Sequence, residues 1–133
     1  MTVILCVGSR GEMLFGGRRV SRDGHILADI AKLGKIVASP FSEKYLKGAG
    51  LDFTVMDEPL KNADTNATVF IEEPPIAPYK DRIDRMIVYD FGEVYPLDVT
   101  LDITPAALGL SPVSVTEFAG KAHKLIKKEI FER

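Results

Sequence analysis

Gly16 and Gly17 are followed at once by Arg18 and Arg19, and then by Arg22 and Asp23. Freely bending backbone beside guanidinium forks is a chemistry for gripping phosphate or carboxylate, because each fork offers paired N–H donors to two anionic oxygens. The bland alternative for such a cluster is a solvated, mobile basic loop. The same stretch carries Met13, Leu14 and Phe15. These apolar side chains either fold back into a core or close as a lid over an aromatic ligand. Asp23 also has two readings. Ahead of an apolar-periodic segment it caps a helix, a role worth about 1 kcal/mol. As a buried acid it would bond an amidine-like N–H pair of a ligand, or help deliver a proton to a ring nitrogen.

Other chemistry-bearing residues narrow the choice. "GSRGEMLFGG" lacks the Gly-Lys-Ser/Thr ending of a P-loop, and no GxGxxG occurs. His25 and His123 have no second His or Cys at metal-ligand spacing. The first is expected on a helix surface and the second in a C-terminal turn. Ser9, Ser21 and Ser39 sit in no recognisable nucleophile motif. Glu72 and Glu73, with Asp23, would make a carboxylate set for Mg²⁺, although "EEPP" is also how a strand ends in solvent. Lys121, Lys124, Lys127 and Lys128 have no aromatic stripe among them and read as a solvated face.

These groups must be positioned by 133 residues, 46% hydrophobic and 27% charged, with a net charge of −2. That is enough chain for one domain, residues 1–133, around a hydrophobic core. The near-neutral balance gives no field for nucleic acid or an acidic membrane surface. The apolar runs are too short to span a bilayer. "MTVILCVGSR" has neither a basic leader region nor a cleavage site. The single Cys6 reads as a buried small hydrophobe, and the whole fits a cytoplasmic location.

Apolar, β-branched Thr2–Val7 predicts a strand covered on both faces, and residues 11–22 a loop. Ile26, Leu27, Ile30, Ala31 and Leu33 recur at helical spacing after Asp23, with Gly34 as the stop. Strands are expected at Lys35–Ser39, Leu51–Asp57, Thr68–Ile71, Met86–Tyr89 and Pro112–Phe118. Ser39 and Pro40 open a short helix over Phe41–Lys47. "EPLKNADTN" reads as a loop, "YKDRIDR" as a helical turn and "LDVTLDI" as an extended segment. In "AHKLIKKEIFER" the period favours a helix, though "IKKEIFE" also suits a strand. Alternating strands and short helices give an α/β domain with a mainly parallel sheet. An edge strand would be exposed in so short a sheet, and pairing of two copies is one way to cover it.

The order of strand, Met-containing loop, Asp, helix, strand and small-residue turn in "SRDGHILADIAKLGKIVASPFSEKYL" resembles the dihydrofolate reductase family. "IDRMIVYDFGEVYPLDV" and "VTEFAGKAHKLIKKEIFER" are similar to that family's late strand, acidic loop and C-terminal hairpin. The resemblance implies a dihydrofolate-reductase-like, mainly parallel sheet with flanking helices and an antiparallel C-terminal hairpin, which places residues 126–132 in a strand. It also implies that Asp23 is the single buried active-site acid. Ser39 and Ser42 would face an NADPH cofactor, Ser42 against its pyrophosphate. A pteridine-like or other heteroaromatic substrate would lie near Met13, Phe15, Arg18, Arg19 and Arg22.

Three departures accompany this. Glu72 and Glu73 stand where the family has a Gly-Gly pair beside the cofactor phosphates, and like charges near contact cost on the order of 1 kcal/mol or more. Between Tyr45 and Ala67 the chain is about one strand-helix unit short, where the family grips the adenosine 2′-phosphate. There is no Trp. Two functions are therefore expected: a minimal NADPH-dependent oxidoreductase, or a pseudoenzyme that binds a small anionic ligand or a protein partner through residues 13–22.

Overall fold

The computed structural model describes residues 1–133. Its first strand, β1 (Thr2–Val7), sends Val3, Leu5 and Val7 to one core and Ile4 and Cys6 toward the other. The period-two alternation places apolar groups on both sides of the strand, so it can lie only inside a covered sheet. Cys6 is half-buried.

Residues 11–22, expected as a loop, instead contain a hairpin. β2 (Glu12–Phe15) and β3 (Arg18–Arg19) pair antiparallel around Gly16 and Gly17. These glycines have φ of 59° and 76°, the left-handed values that a two-residue hairpin turn demands and that glycine adopts without strain. The strands are too short for alternation to show in the sequence. Met13 and Leu14 are buried in the first core, where burial of such a side chain is worth about 1.5–3 kcal/mol, and Phe15 is left exposed.

α1 (Gly24–Ala31) begins at Asp23, whose side chain accepts from the His25 amide. Ile26, Leu27 and Ile30 are buried as expected, whereas Ala31 and Leu33 are exposed because the helix stops at Ala31. Next come β4 (Ile36–Ala38), α2 (Pro40–Gly48), β5 (Phe53–Val55), α3 (Pro59–Asn62) and β6 (Thr68–Phe70). The α3 turn lies inside the expected loop at 58–66, started by a proline preset for a first helical position. A 3-10 turn at Ala77–Arg82 leads to β7 (Arg85–Asp90). Within "LDVTLDI" only Val99–Thr100 is extended, as β8. β9 (Ser111–Phe118) and β10 (Ile126–Glu132) close the chain. The C-terminal segment is a strand, against its helical period.

The main sheet has the order β5-β4-β6-β1-β7-β10-β9. Its first five strands are mutually parallel, and β10 and β9 form the antiparallel edge. β3, β2 and β8 form a second small sheet. α1 and α2 supply Ile26, Leu27, Ile30 and Leu46 to one core, while α3 and β2 supply Leu60, Met13 and Leu14 to the other. A polar tie fastens α1 to the sheet. Tyr89 donates its hydroxyl to Asp29 at 2.6 Å, and Lys128 on β10 reaches the same oxygen at 2.7 Å. Burial works against the Asp29 charge, but these two donors together hold its pKa below the ordinary carboxylate value. No helix is long and apolar enough to cross a membrane.

Ser39, Glu72 and Gly8 all follow the carboxyl ends of parallel strands, the side of an open α/β sheet where crevices form. Gly8 is packed tightly there: a Cβ would lie 2.7 Å from Tyr95 Cδ2 and 2.8 Å from Glu12 Oε2. Glu12 cannot retreat, because its carboxylate accepts the amides of Arg10 and Tyr95. Gly8→Ala is therefore expected to cost about 1–3 kcal/mol of overpacking. Urea denaturation checks it, and an unchanged midpoint would show that the Glu12–Tyr95 contact yields freely.

Candidate functional site

An open cleft of about 1040 Å³ lies between residues 17–24 and α2. Arg18, Arg22 and Lys44 stand on its rim, and Leu27, Phe41 and Tyr45 give it apolar wall. Three of the anion-gripping residues expected from sequence are thus near one another, but they do not act alike. Arg18 and Arg22 are exposed, whereas Arg19 is committed inside the protein.

Arg19 Nε donates to Glu72 Oε2 at 2.7 Å and its Nη2 donates to Oε1 at 3.0 Å. Ser42 donates its hydroxyl to Oε1 at 2.7 Å. The guanidinium also lies 4.1 Å from the Tyr45 ring centroid and 5.4 Å from that of Phe41. A two-pronged, hydrogen-bonded pair stacked on an aromatic face is the geometry in which Arg cannot be replaced by Lys. The bond to Glu72 raises the Arg19 pKa further, ahead of the opposing effect of burial. Glu72 is buried and neutralised, so it does not present the bare charge expected from "EEPP". Only Glu73 remains exposed. The Ser42 hydroxyl is spent on Glu72.

Asp23 is also fully engaged. Its Oδ1 accepts the amides of His25 and Lys121, each at 2.9 Å. Its Oδ2 accepts the Ala122 amide at 2.8 Å and lies 2.8 Å from His123 Nδ1. Burial pushes its pKa up, but the bonds from His123, Lys121, Ala122 and His25 outweigh that and hold it far below the usual carboxylate range. Asp23 is thus the cap that its spacing suggests and also a buried acid. What it meets is the loop between β9 and β10. An ionised carboxylate only accepts, so the proton of the His123 ring sits on Nδ1 and leaves Nε2 facing Ser21 Oγ at 2.8 Å. The Tyr95 hydroxyl is 3.3 Å from the same nitrogen, and the Phe91 ring covers the imidazole at 4.9 Å between centroids. His25 is exposed, as expected.

Of the other expected site residues, Met13 is buried away from the cleft and Phe15 is outside its lining. Ser39 and Glu73 line a second cavity of about 400 Å³, and Phe41 borders both. The second cavity lies where the resemblance implies NADPH. Its residues do not fit a dinucleotide carrying several phosphates. Glu58, Glu72 and Glu73 line it and no Lys, Arg or His does. Arg19 lines the first cavity and Glu72 the second, so their ion pair stands between the two. Asp23, Glu72 and Glu73 do not assemble as a cation site, because each acid keeps separate partners or faces solvent.

Sequence reasoning missed Tyr45, Tyr95, Glu12 and the link from His123 to Asp23. That link spans 100 residues, beyond any motif spacing. Gly120 was the available signal, since a Cβ there would fall 2.6 Å from Asp23 Oδ2.

No family model matches the sequence, and no curated protein does. Among solved structures the chain is similar to a dihydrofolate reductase from Enterococcus faecalis, complexed with NADP(H) and RAB-propyl. The TM-score is 0.66 at 11% identity, over 100% of this chain and 96% of that one. The likeness is one of fold: a mixed α/β architecture with a mainly parallel sheet and antiparallel C-terminal strands.

Asp23→Asn should cost about 2 kcal/mol or more, because an amide presents N–H groups to donors that need an acceptor. Asp23 has a folded pKa below its unfolded one. Its contribution is therefore complete above the ordinary value of 3.8 and is lost as pH falls through the range beneath it. The variant should lose stability at neutral pH and fall off less steeply in acid. Urea melts at neutral and acid pH check this, and parallel acid profiles for parent and variant would refute it.

Proposed function

We propose that this chain is a dihydrofolate-reductase-like domain, residues 1–133, that binds a small anionic ligand with a flat heteroaromatic part in the cleft beside α2. One observation carries the reading. Arg18, Arg22 and Lys44 rim the cleft without a carboxylate partner, while Phe41, Tyr45 and Leu27 supply apolar and aromatic wall. Charge on the rim and rings on the wall suit a ligand with a planar body and an acidic substituent. Exposed cations add about 0.5 kcal/mol each in water, so the three together give a charged ligand roughly tenfold over its neutral analogue.

The alternative, an NADPH-dependent reductase, draws support from the fold shared with an NADP(H)-bound dihydrofolate reductase. The acidic second cavity, the Glu72 carboxylate already paired with Arg19 and the saturated Asp23 speak against it.

The test compares pterin-6-carboxylate with uncharged pterin by calorimetric titration. The carboxylate should bind saturably and about tenfold more tightly, and lose that advantage in an Arg22→Gln/Lys44→Gln variant. Equal affinity for both, or no saturation by either, would overturn the reading. NADPH should not be oxidised by dihydropteridines in the presence of the protein. Turnover seen by absorbance would restore the reductase.

A further inference from the structure

Ser21, His123 and Asp23 form one hydrogen-bonded row that ends on the cleft wall. Asp23 Oδ2 lies 2.8 Å from His123 Nδ1, and His123 Nε2 lies 2.8 Å from Ser21 Oγ. The last of these, Ser21, is half-buried and lines the cleft. We propose that this row is a nucleophilic serine site that cleaves carboxylic esters bearing an anionic group. The proposal rests on the anion-binding reading of the same cleft for its substrate class, and on the row alone for its chemistry.

The arrangement meets the geometric requirements of an activated nucleophile. Nucleophile and base are within hydrogen-bond reach, and the base is oriented by a third group. Asp23 is ionised and almost fully buried, so it fixes the imidazole tautomer and can stabilise the imidazolium that forms. Three backbone amides already satisfy much of the carboxylate, and the ring completes the set. Phe91 screens one face of the imidazole, and Tyr95 stands beside Nε2 at a longer distance than Ser21 does. The amides of Arg22 and Gly24, on the same cleft wall, take no acceptor from the protein. Unpaired amides of this kind are the donors that a developing oxyanion requires. Arg22 and Lys44 are placed to hold the anionic end of the substrate.

In the first half-reaction Ser21 Oγ attacks the ester carbonyl carbon while its proton passes to His123 Nε2. The carbonyl electron pair moves onto oxygen. Collapse of this adduct breaks the bond to the alcohol oxygen, which leaves with the proton from Nε2, and Ser21 is acylated. Water then adds to the acyl carbon and gives a proton to Nε2. The acid departs as Ser21 Oγ recovers that proton.

The experiment treats the intact protein with p-nitrophenyl acetate, which is neutral, and with mono-p-nitrophenyl adipate, which is anionic and too long to cyclise readily onto its own ester. Release of p-nitrophenol is followed and the adduct is mapped by mass spectrometry. Acylation is expected on Ser21. It should be absent in Ser21→Ala and about a hundredfold slower in His123→Gln, with the circular dichroism of both variants unchanged. After subtraction of the protein-free rates, the adipate ester should react roughly tenfold faster than the acetate, and Arg22→Gln/Lys44→Gln should erase the difference. An adduct confined to lysine or tyrosine, or an undiminished rate in Ser21→Ala, overturns the serine site. Absence of any Ser21 adduct while pterin-6-carboxylate still binds also overturns it and leaves the binding reading standing. Acylation of Ser21 with no preference for the anionic ester upholds the nucleophile and removes the anion-binding reading.

Discussion

The buried carboxylate of Asp23 accepts hydrogen bonds from two parts of the chain that lie up to 100 residues apart. A charge with almost no exposure is tolerable only when its oxygens are filled by donors, and here backbone amides and one imidazole fill them. Much else follows from this junction. It starts α1 at Gly24, draws the loop between β9 and β10 against the N-terminal end of that helix, and turns His123 so that its second nitrogen meets Ser21. It also sets the rim of the cleft, because Arg22 and Gly24 flank the acid. Gly120 is the steric condition for all of it, since any side chain there would sit on Asp23 Oδ2 or on the His123 carbonyl.

The parts legible in the sequence are those governed by short-range pattern. β1, the core face of α1 and the Ser39-Pro40 start of α2 follow from apolar runs, caps and breakers, whereas the antiparallel C-terminal edge was legible only through the family resemblance. The β2–β3 hairpin was hidden because strands of four and two residues show no alternation, and Gly16-Gly17 suits a mobile loop as well as a turn. β10 was misleading for a different reason. Ile126 and Ile130 have the spacing of a helix face, yet ladder bonds to β7 on one side and β9 on the other outweigh that local preference. At the site, residue types were legible and partnerships were not. Arg19 and Glu72 both stood out, one as an anion grip and the other as a repulsive charge. Only the fold, placing the β3 strand against the end of β6, turns them into a neutral pair.

The shared architecture leaves the polar filling of the crevices open. The chain superposes along its length on a dihydrofolate reductase at 11% identity. Similar architecture fixes where the crevices lie, and side chains decide what enters them. Here one crevice is rimmed by cations and the other by carboxylates, with Phe41 between them. Within this fold the exposed cations lie toward α1 and the carboxylates toward the α2–α3 side.

The Arg19–Glu72 pair gives the protein its own competitor. A carboxylate held on the same chain faces the guanidinium at an effective concentration on the order of millimolar or above. Any free acid that enters the cleft meets Arg18, Arg22 and Lys44 first and gains Arg19 only by displacing Glu72 from a two-pronged, stacked seat. Below that concentration the deepest cation is silent. The charge the cleft offers is therefore that of its rim, and its innermost guanidinium belongs to the fold.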